Sequence, residues 1–185
     1  MKPLKILSDE HVLIRQALEN FTLAAERLQQ GERPPVVFFR KAIQFIRDFV
    51  QTFHHFKEEH VMFVRLAQKK HGEIDAQIDA LKNQHEHARE LVAGMVSALE
   101  GYAEGEELYV GRLLENLVAY SALLQRHIHL EDHVFYPMVA TTLDEAEMNS
   151  LVDEFKRESQ KSPLSDVQYS RRLVEEMGTL LVEGS

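Results

Sequence analysis

The segment His54-His55-Phe56-Lys57-Glu58-Glu59-His60-Val61-Met62-Phe63 returns later in the chain as His127-Ile128-His129-Leu130-Glu131-Asp132-His133-Val134-Phe135-Tyr136. Each copy carries His-x-x-x-Glu, and i, i+4 spacing aims both side chains off one face of a helix. Working outward, each copy lies on an apolar stripe of α-helical period. One stripe runs Ile43, Ile46, Val50, His54, Glu58, Val61. The other runs Val110, Leu113, Leu117, Tyr120, Leu124, His127, Glu131, Val134, Met138. A further stripe precedes each: Leu7, His11, Ile14, Leu18, Phe21, Ala25, Leu28, and then Ile74, Ile78, Leu81, His85, Ala88, Val92, Met95, Leu99. Such stripes are the core faces of bundled helices. Helices are predicted over roughly 5–30, 35–70, 73–100 and 106–140, punctuated by Gly31, Pro34-Pro35, Gly72, Gly101 and Gly105. Four long helices on short loops predict an all-α, antiparallel up-down-up-down four-helix bundle over 1–140. Pro137 is expected to kink the last helix or begin its end.

Residues 141–185 predict a short C-terminal helical extension that packs on the bundle or on a partner. Two helices are expected around Lys161-Ser162-Pro163. Asp144 opens the first, whose apolar face holds Leu151, Val152 and Phe155. Ser165-Asp166 caps the second, which carries Val167, Leu173, Met177 and Leu181.

Composition narrows the chemistry. The 185 residues contain no cysteine, which excludes disulfides, thiolate metal sites and cysteine nucleophiles. A net charge of −9 argues against nucleic acid and anionic membranes as partners, since both demand clustered Lys and Arg. The N-terminus lacks the apolar run of a signal peptide, and no stretch approaches a membrane span of ~20 apolar residues. A cytoplasmic protein is expected. Ten histidines and thirty carboxylates are the notable counts, because six of these residues lie where a core should reject them.

Those six are His11, His54, Glu58, His85, His127 and Glu131. One unpartnered buried charge costs several kcal/mol, so six in one small bundle call for a shared cause. At ~1.5 Å per residue, most fall in one layer roughly 15–20 Å from one end of the bundle, with His11 somewhat shallower. The repeat places its copies on diagonal helices and implies a pseudo-two-fold axis. Two His-x-x-x-Glu arms, with one more histidine from each remaining helix, suit two metal ions. Iron is the usual occupant of such dinuclear carboxylate bundles.

His55 and Glu59 share the same spacing, but the stripe and the alignment with Glu131 favour His54 and Glu58. His55, His60, His87, His129 and His133 lie off the stripes, which assigns them to the surface or to hydrogen bonding behind the ligands. His71, beside Gly72, reads as a helix C-terminal residue facing the dipole. Tyr120 is a candidate proton donor two turns before His127. The Glu-x-x-His motif of ferritin-like di-iron bundles and the His-Glu-x-x-His motif of zinc hydrolases are both absent.

Taken in order, five segments resemble the hemerythrin-like, or HHE cation-binding, family. They are Asp9-Glu10-His11, His54-His55-Phe56-Lys57-Glu58-Glu59, Gln84-His85-Glu86-His87-Ala88-Arg89-Glu90-Leu91, His127-Ile128-His129-Leu130-Glu131-Asp132, and Tyr136-Pro137. The resemblance covers about 1–140. It implies a non-haem di-iron centre, with Glu58 and Glu131 as bridging carboxylates and His11, His54, His85 and His127 as terminal ligands. The four-histidine, two-glutamate pattern looks closest to iron-sulfur cluster repair proteins, which often carry a cysteine-bearing N-terminal segment that is missing here. Oxygen-carrying hemerythrins draw a His-x-x-x-His pair from one helix, whereas here His85 is followed by Arg89. The expected function is binding or sensing of O2 or NO at two iron ions. The rival readings are a di-iron enzyme or iron donor in nitrosative or oxidative stress defence, served by an electron donor or an iron-sulfur protein, and iron storage.

Overall fold

The computed structural model describes residues 2–69, 72–161 and 167–183, which are mostly helical with no strand among them. Helix α1 is Lys2–Gln29. Helix α2 spans 36–67 and changes its winding along the way. It is α-helical over Val36–Phe45, π-helical over Ile46–His55 and Glu58–Met62, and α-helical again over Phe63–Ala67. Helix α3 is Gly72–Ala103. Helix α4 spans 107–142, with a π-helical turn at Glu131–Phe135 between Glu107–Leu130 and Tyr136–Thr142. Helices α5, Glu145–Lys161, and α6, Val167–Glu183, complete a helical bundle.

The helix ends follow from local chemistry. Gly31 and Gly105 adopt φ of 84° and 81°, the left-handed conformation that a Cβ disfavours. Each stops its helix in the same way. The Glu32 N–H donates back to the Arg27 carbonyl at 2.9 Å, and the Glu106 N–H to the Gly101 carbonyl at 2.9 Å. At the start of α5, Asp144 and Glu147 cap each other reciprocally, side chain to backbone N–H, at 2.9 and 3.0 Å. The Ser165-Asp166 cap, the Ser162-Pro163 break and the His71 position lie outside the described residues.

Two apolar cores flank a polar layer. One gathers Leu13 to Leu28 of α1, Phe38 to Phe53 of α2, Ala88 to Tyr102 of α3, Val110 to Ile128 of α4, and Leu173, Val174, Met177 and Leu181 of α6. The second gathers Leu4 and Leu7, Val61 to Leu66, Ile74 to Leu81, Phe135 to Leu143, and Met148, Leu151 and Phe155 of α5. Each buried Phe or Leu contributes roughly 1.5–3 kcal/mol, so the cores hold four helices in register around the polar layer. The last two helices share these cores. Polar contacts reinforce them, such as Lys41 with Glu176 at 2.6 Å and Arg65 with Ser150 at 3.1 Å. Val167 stays exposed. Among the described residues, no helix is long and apolar enough to cross a membrane.

One stripe departs from expectation. Val134 is 43% exposed, whereas Phe135 and Val139 are fully buried. The π-helical turn at Glu131–Phe135 is the reason: closing i→i+5 hydrogen bonds inserts a residue and moves the inward face on by one position. Pro137, which has no N–H to donate, sits just past that turn at the start of the final α-helical stretch.

Candidate metal centre

All six residues singled out from the stripes enter the layer between the cores, and all six are buried. They form two groups that share Glu58. One comprises His11, His54, Glu58 and Glu131. The other comprises His85, His127, Glu58 and a seventh residue, His55. Within each group the candidate ligand atoms lie within 4.8 Å of one another. Bonds of about 2.1 Å to a common ion allow separations up to about 4.2 Å, so small inward shifts close either group on a cation.

The orientation of the imidazoles follows from what holds their outer nitrogens. His54 Nδ1 donates to Glu10 Oε2 at 2.9 Å, and His11 Nδ1 donates to Asp132 Oδ1 at 3.0 Å. His85 Nδ1 donates to Glu59 Oε1 at 2.7 Å, and His127 Nδ1 donates to Gln84 Oε1 at 2.8 Å. These oxygens only accept, so the proton sits on Nδ1 and each Nε2 presents a lone pair inward. The lone pairs face each other, His11 to His54 at 3.1 Å and His85 to His127 at 3.0 Å. Two bare nitrogens at that distance repel, and either a proton on one of them or a metal cation that draws both relieves the contact. Burial pushes His54 down to about 4, so it is neutral at pH 7 and free to ligate.

The carboxylates carry the same message. Glu131 directs one oxygen at His11 and the other at His127, each at 3.2 Å. Glu58 Oε1 accepts the Tyr136 hydroxyl at 2.7 Å, while Oε2 stands 3.7 Å from His54 and 3.6 Å from His85. Glu58 Oε2, both Glu131 oxygens and both His55 nitrogens lack a hydrogen-bond partner. Burial and the facing Glu131 carboxylate push Glu58 well above the usual carboxylate range. Such a set is costly in isolation and is relieved by shared positive charge. Its nitrogen and oxygen donors suit a borderline divalent metal, iron among them.

Cations stand behind three of the four supports. Arg15 pairs with Asp132, Arg89 with Glu59, and the buried Lys57 with Glu10. Lys57 also lies 3.6 Å from the centroid of the Phe53 ring. Burial alone would raise Glu10, but His54 and Lys57 hold it below its ordinary value. Gln84 is the neutral exception. These supports were not singled out in advance, although the repeat contains a signal for them. Glu59 and Asp132 each follow a Glu of the repeat, and Glu10 and Gln84 each precede a histidine of α1 or α3.

One expectation is corrected. His55, assigned above to the surface or to a place behind the ligands, is 1% exposed and stacks on His85 with centroids 3.7 Å apart. It ends the π-helical stretch Ile46–His55. There successive residues diverge by less than the α-helical angle of about 100°, so His54 and His55 both reach the layer. His60, His87, His129 and His133 are exposed, as expected. Tyr120 packs near Phe21, centroids 6.3 Å apart, with its hydroxyl unpartnered. The phenol that reaches a carboxylate is Tyr136.

The profile of the hemerythrin HHE cation binding domain matches residues 2–139. The chain therefore belongs to the hemerythrin HHE family, and the fold and clustered His/Glu donors make it a metal-binding protein. Similar curated proteins are uncharacterized ones from Mycobacterium bovis and Mycobacterium tuberculosis, each 24% identical over 155 residues. The match covers 84% of this chain and 60% of each relative, so the chain spans well under the full length of those proteins. No solved structure matches.

Proposed function

We propose that this chain holds two iron ions, one at each group, and binds or senses O2 or NO there, in the cytoplasm. His11, His54, His85 and His127 serve as terminal ligands, with Glu58 and Glu131 bridging. The reading takes 1–140 as an antiparallel up-down-up-down four-helix unit and 141–185 as its extension. The observation that supports it most is the pair of facing Nε2 contacts, 3.1 and 3.0 Å, with Glu58 common to both groups.

Reduced iron at such a centre supplies an electron-rich position for a diatomic gas. The protein supplies the surroundings. The two apolar cores exclude bulk water from the layer. Burial pushes the Tyr136 phenol well above its ordinary range, which keeps it protonated as a donor to Glu58. Tyr136 also stacks on His11, centroids 5.7 Å apart. Its outer side lines a cavity of about 530 Å³ with Leu4, Ser8, Asp132 and Pro137.

The test is metal content per chain on iron-grown protein, with absorption spectra after reduction and exposure to O2 or NO. Two irons and a reversible gas-dependent spectrum are expected. One zinc, or no metal despite iron supply, overturns the reading. Sustained loss of NO or peroxide with an electron donor turns it into an enzyme. Ready iron release without gas chemistry turns it into a store.

A further inference from the structure

We infer that His55 is itself a metal ligand, on the side of His85 and His127, so that three imidazoles serve that ion while two serve the other. The inference rests on the dinuclear reading above and adds a residue to it.

Three observations converge on His55. It is a buried imidazole with neither nitrogen hydrogen-bonded, whereas His11, His54, His85 and His127 all have Nδ1 held. Two buried polar atoms without partners are a cost that a purely structural residue would not carry. Its neighbours are the candidate ligands themselves, with ring centroids 3.7 Å from His85 and 5.7 Å from His127, and a candidate donor atom in one group with Glu58. Finally, the backbone changes winding to bring it there: the π-helical stretch that ends at His55 makes two consecutive histidines face inward.

The remaining helices leave this role open. One turn past His85, α3 offers Arg89, whose guanidinium is bound to Glu59 and Glu86 and brings no ligand. In α4, the repeat aligns His55 with Ile128, a buried apolar residue. A pseudo-two-fold bundle with an isoleucine in one copy and an unpartnered histidine in the other has unequal metal positions.

The repeat also supplies a test variant. His55→Ile puts into α2 the residue that α4 already buries, so packing is preserved while the nitrogen is lost. Metal content, chelator competition and the absorption spectrum are measured beside the unaltered chain, with circular dichroism to monitor the fold. Wild-type protein with two ions, and a folded His55→Ile that binds one of them at least tenfold more weakly with a changed spectrum, is the expected result. His55→Ala opens a ring-sized space, and added imidazole is expected to restore the second ion to it but not to His55→Ile. A folded His55→Ile with two ions, unchanged affinity and unchanged spectrum overturns the inference and leaves the dinuclear reading standing. Wild-type protein without metal overturns both. If neither variant folds, cobalt-loaded wild-type protein decides by its strongly shifted imidazole N–H resonances: five support the inference, four overturn it.

Discussion

The α1–α2 half and the α3–α4 half of the layer use one plan with different residues. In each, a buried glutamate stands among the imidazoles, the acidic residue after it orients a histidine of another helix, and the residue before a histidine of α1 or α3 orients His54 or His127. The first half orients its own histidine with Glu10, an ionised carboxylate backed by the buried Lys57. The second uses neutral Gln84, and Leu130 stands at the position of Lys57. His55 in one half corresponds in the repeat to Ile128 in the other. The lesson is that a repeated frame places donors symmetrically, while a few substitutions behind the donors make the two positions chemically unequal.

The strongest way to break this comparison is to remove what the halves share. Glu58→Ala or Glu131→Ala is expected to lose one or both ions, read as metal content per chain. Equal metal content in these variants and in wild type would refute the bridging assignment. A large but one-sided effect is expected from Lys57→Leu, which strands the Glu10 charge. Breaking a buried pair costs about 3–5 kcal/mol, measurable by denaturant unfolding of the metal-free chain. Adding Glu10→Gln reproduces the Gln84 and Leu130 arrangement of the other half, and most of that loss should return. A double variant no more stable than Lys57→Leu would show that the halves are not equivalent frames.

Gln84→Glu sharpens the comparison from the opposite side by giving His127 an anionic partner. Changes behind a metal-bound histidine alter affinity by about 10- to 100-fold, so competition with a chelator should register a shift while stoichiometry stays at the wild-type value. An unchanged affinity would mean that charge behind the imidazole is immaterial here. The smallest effect belongs to His129→Ala. His129 is exposed and stacks on His133 at 4.2 Å, outside both groups. Full metal content and a stability change within about 0.5 kcal/mol are expected.

Much of this was legible in the sequence, for identifiable reasons. The stripes through Leu7, His11 and Ile14 or Leu81, His85 and Ala88 announce buried helix faces because α-helical winding is uniform there. The six stripe donors meet in the layer because each belongs to such a face. Reading failed where winding changes. Val134 was expected inside and Phe135 took its place. His55 was expected at the surface or behind the ligands and lies among the candidate donors. An i→i+5 turn leaves no mark in a pattern analysed at 3.6 residues per turn. The supports Glu10, Glu59, Gln84 and Asp132 were visible as residues, but their partners lie on other helices.

By itself, the sequence determined the helical class, the helix ends at Gly31 and Gly105, and the donor types that converge on a metal. Local propensity acts between neighbours along a helix, and the cost of burying charge is legible because polar residues interrupt stripes that are otherwise apolar. Only the tertiary structure decided which histidines face which, that Tyr136 rather than Tyr120 reaches Glu58, and that His55 joins the layer. Those outcomes depend on how far each helix is wound when it meets its neighbours, and a single inserted residue turns every later side chain to a new direction.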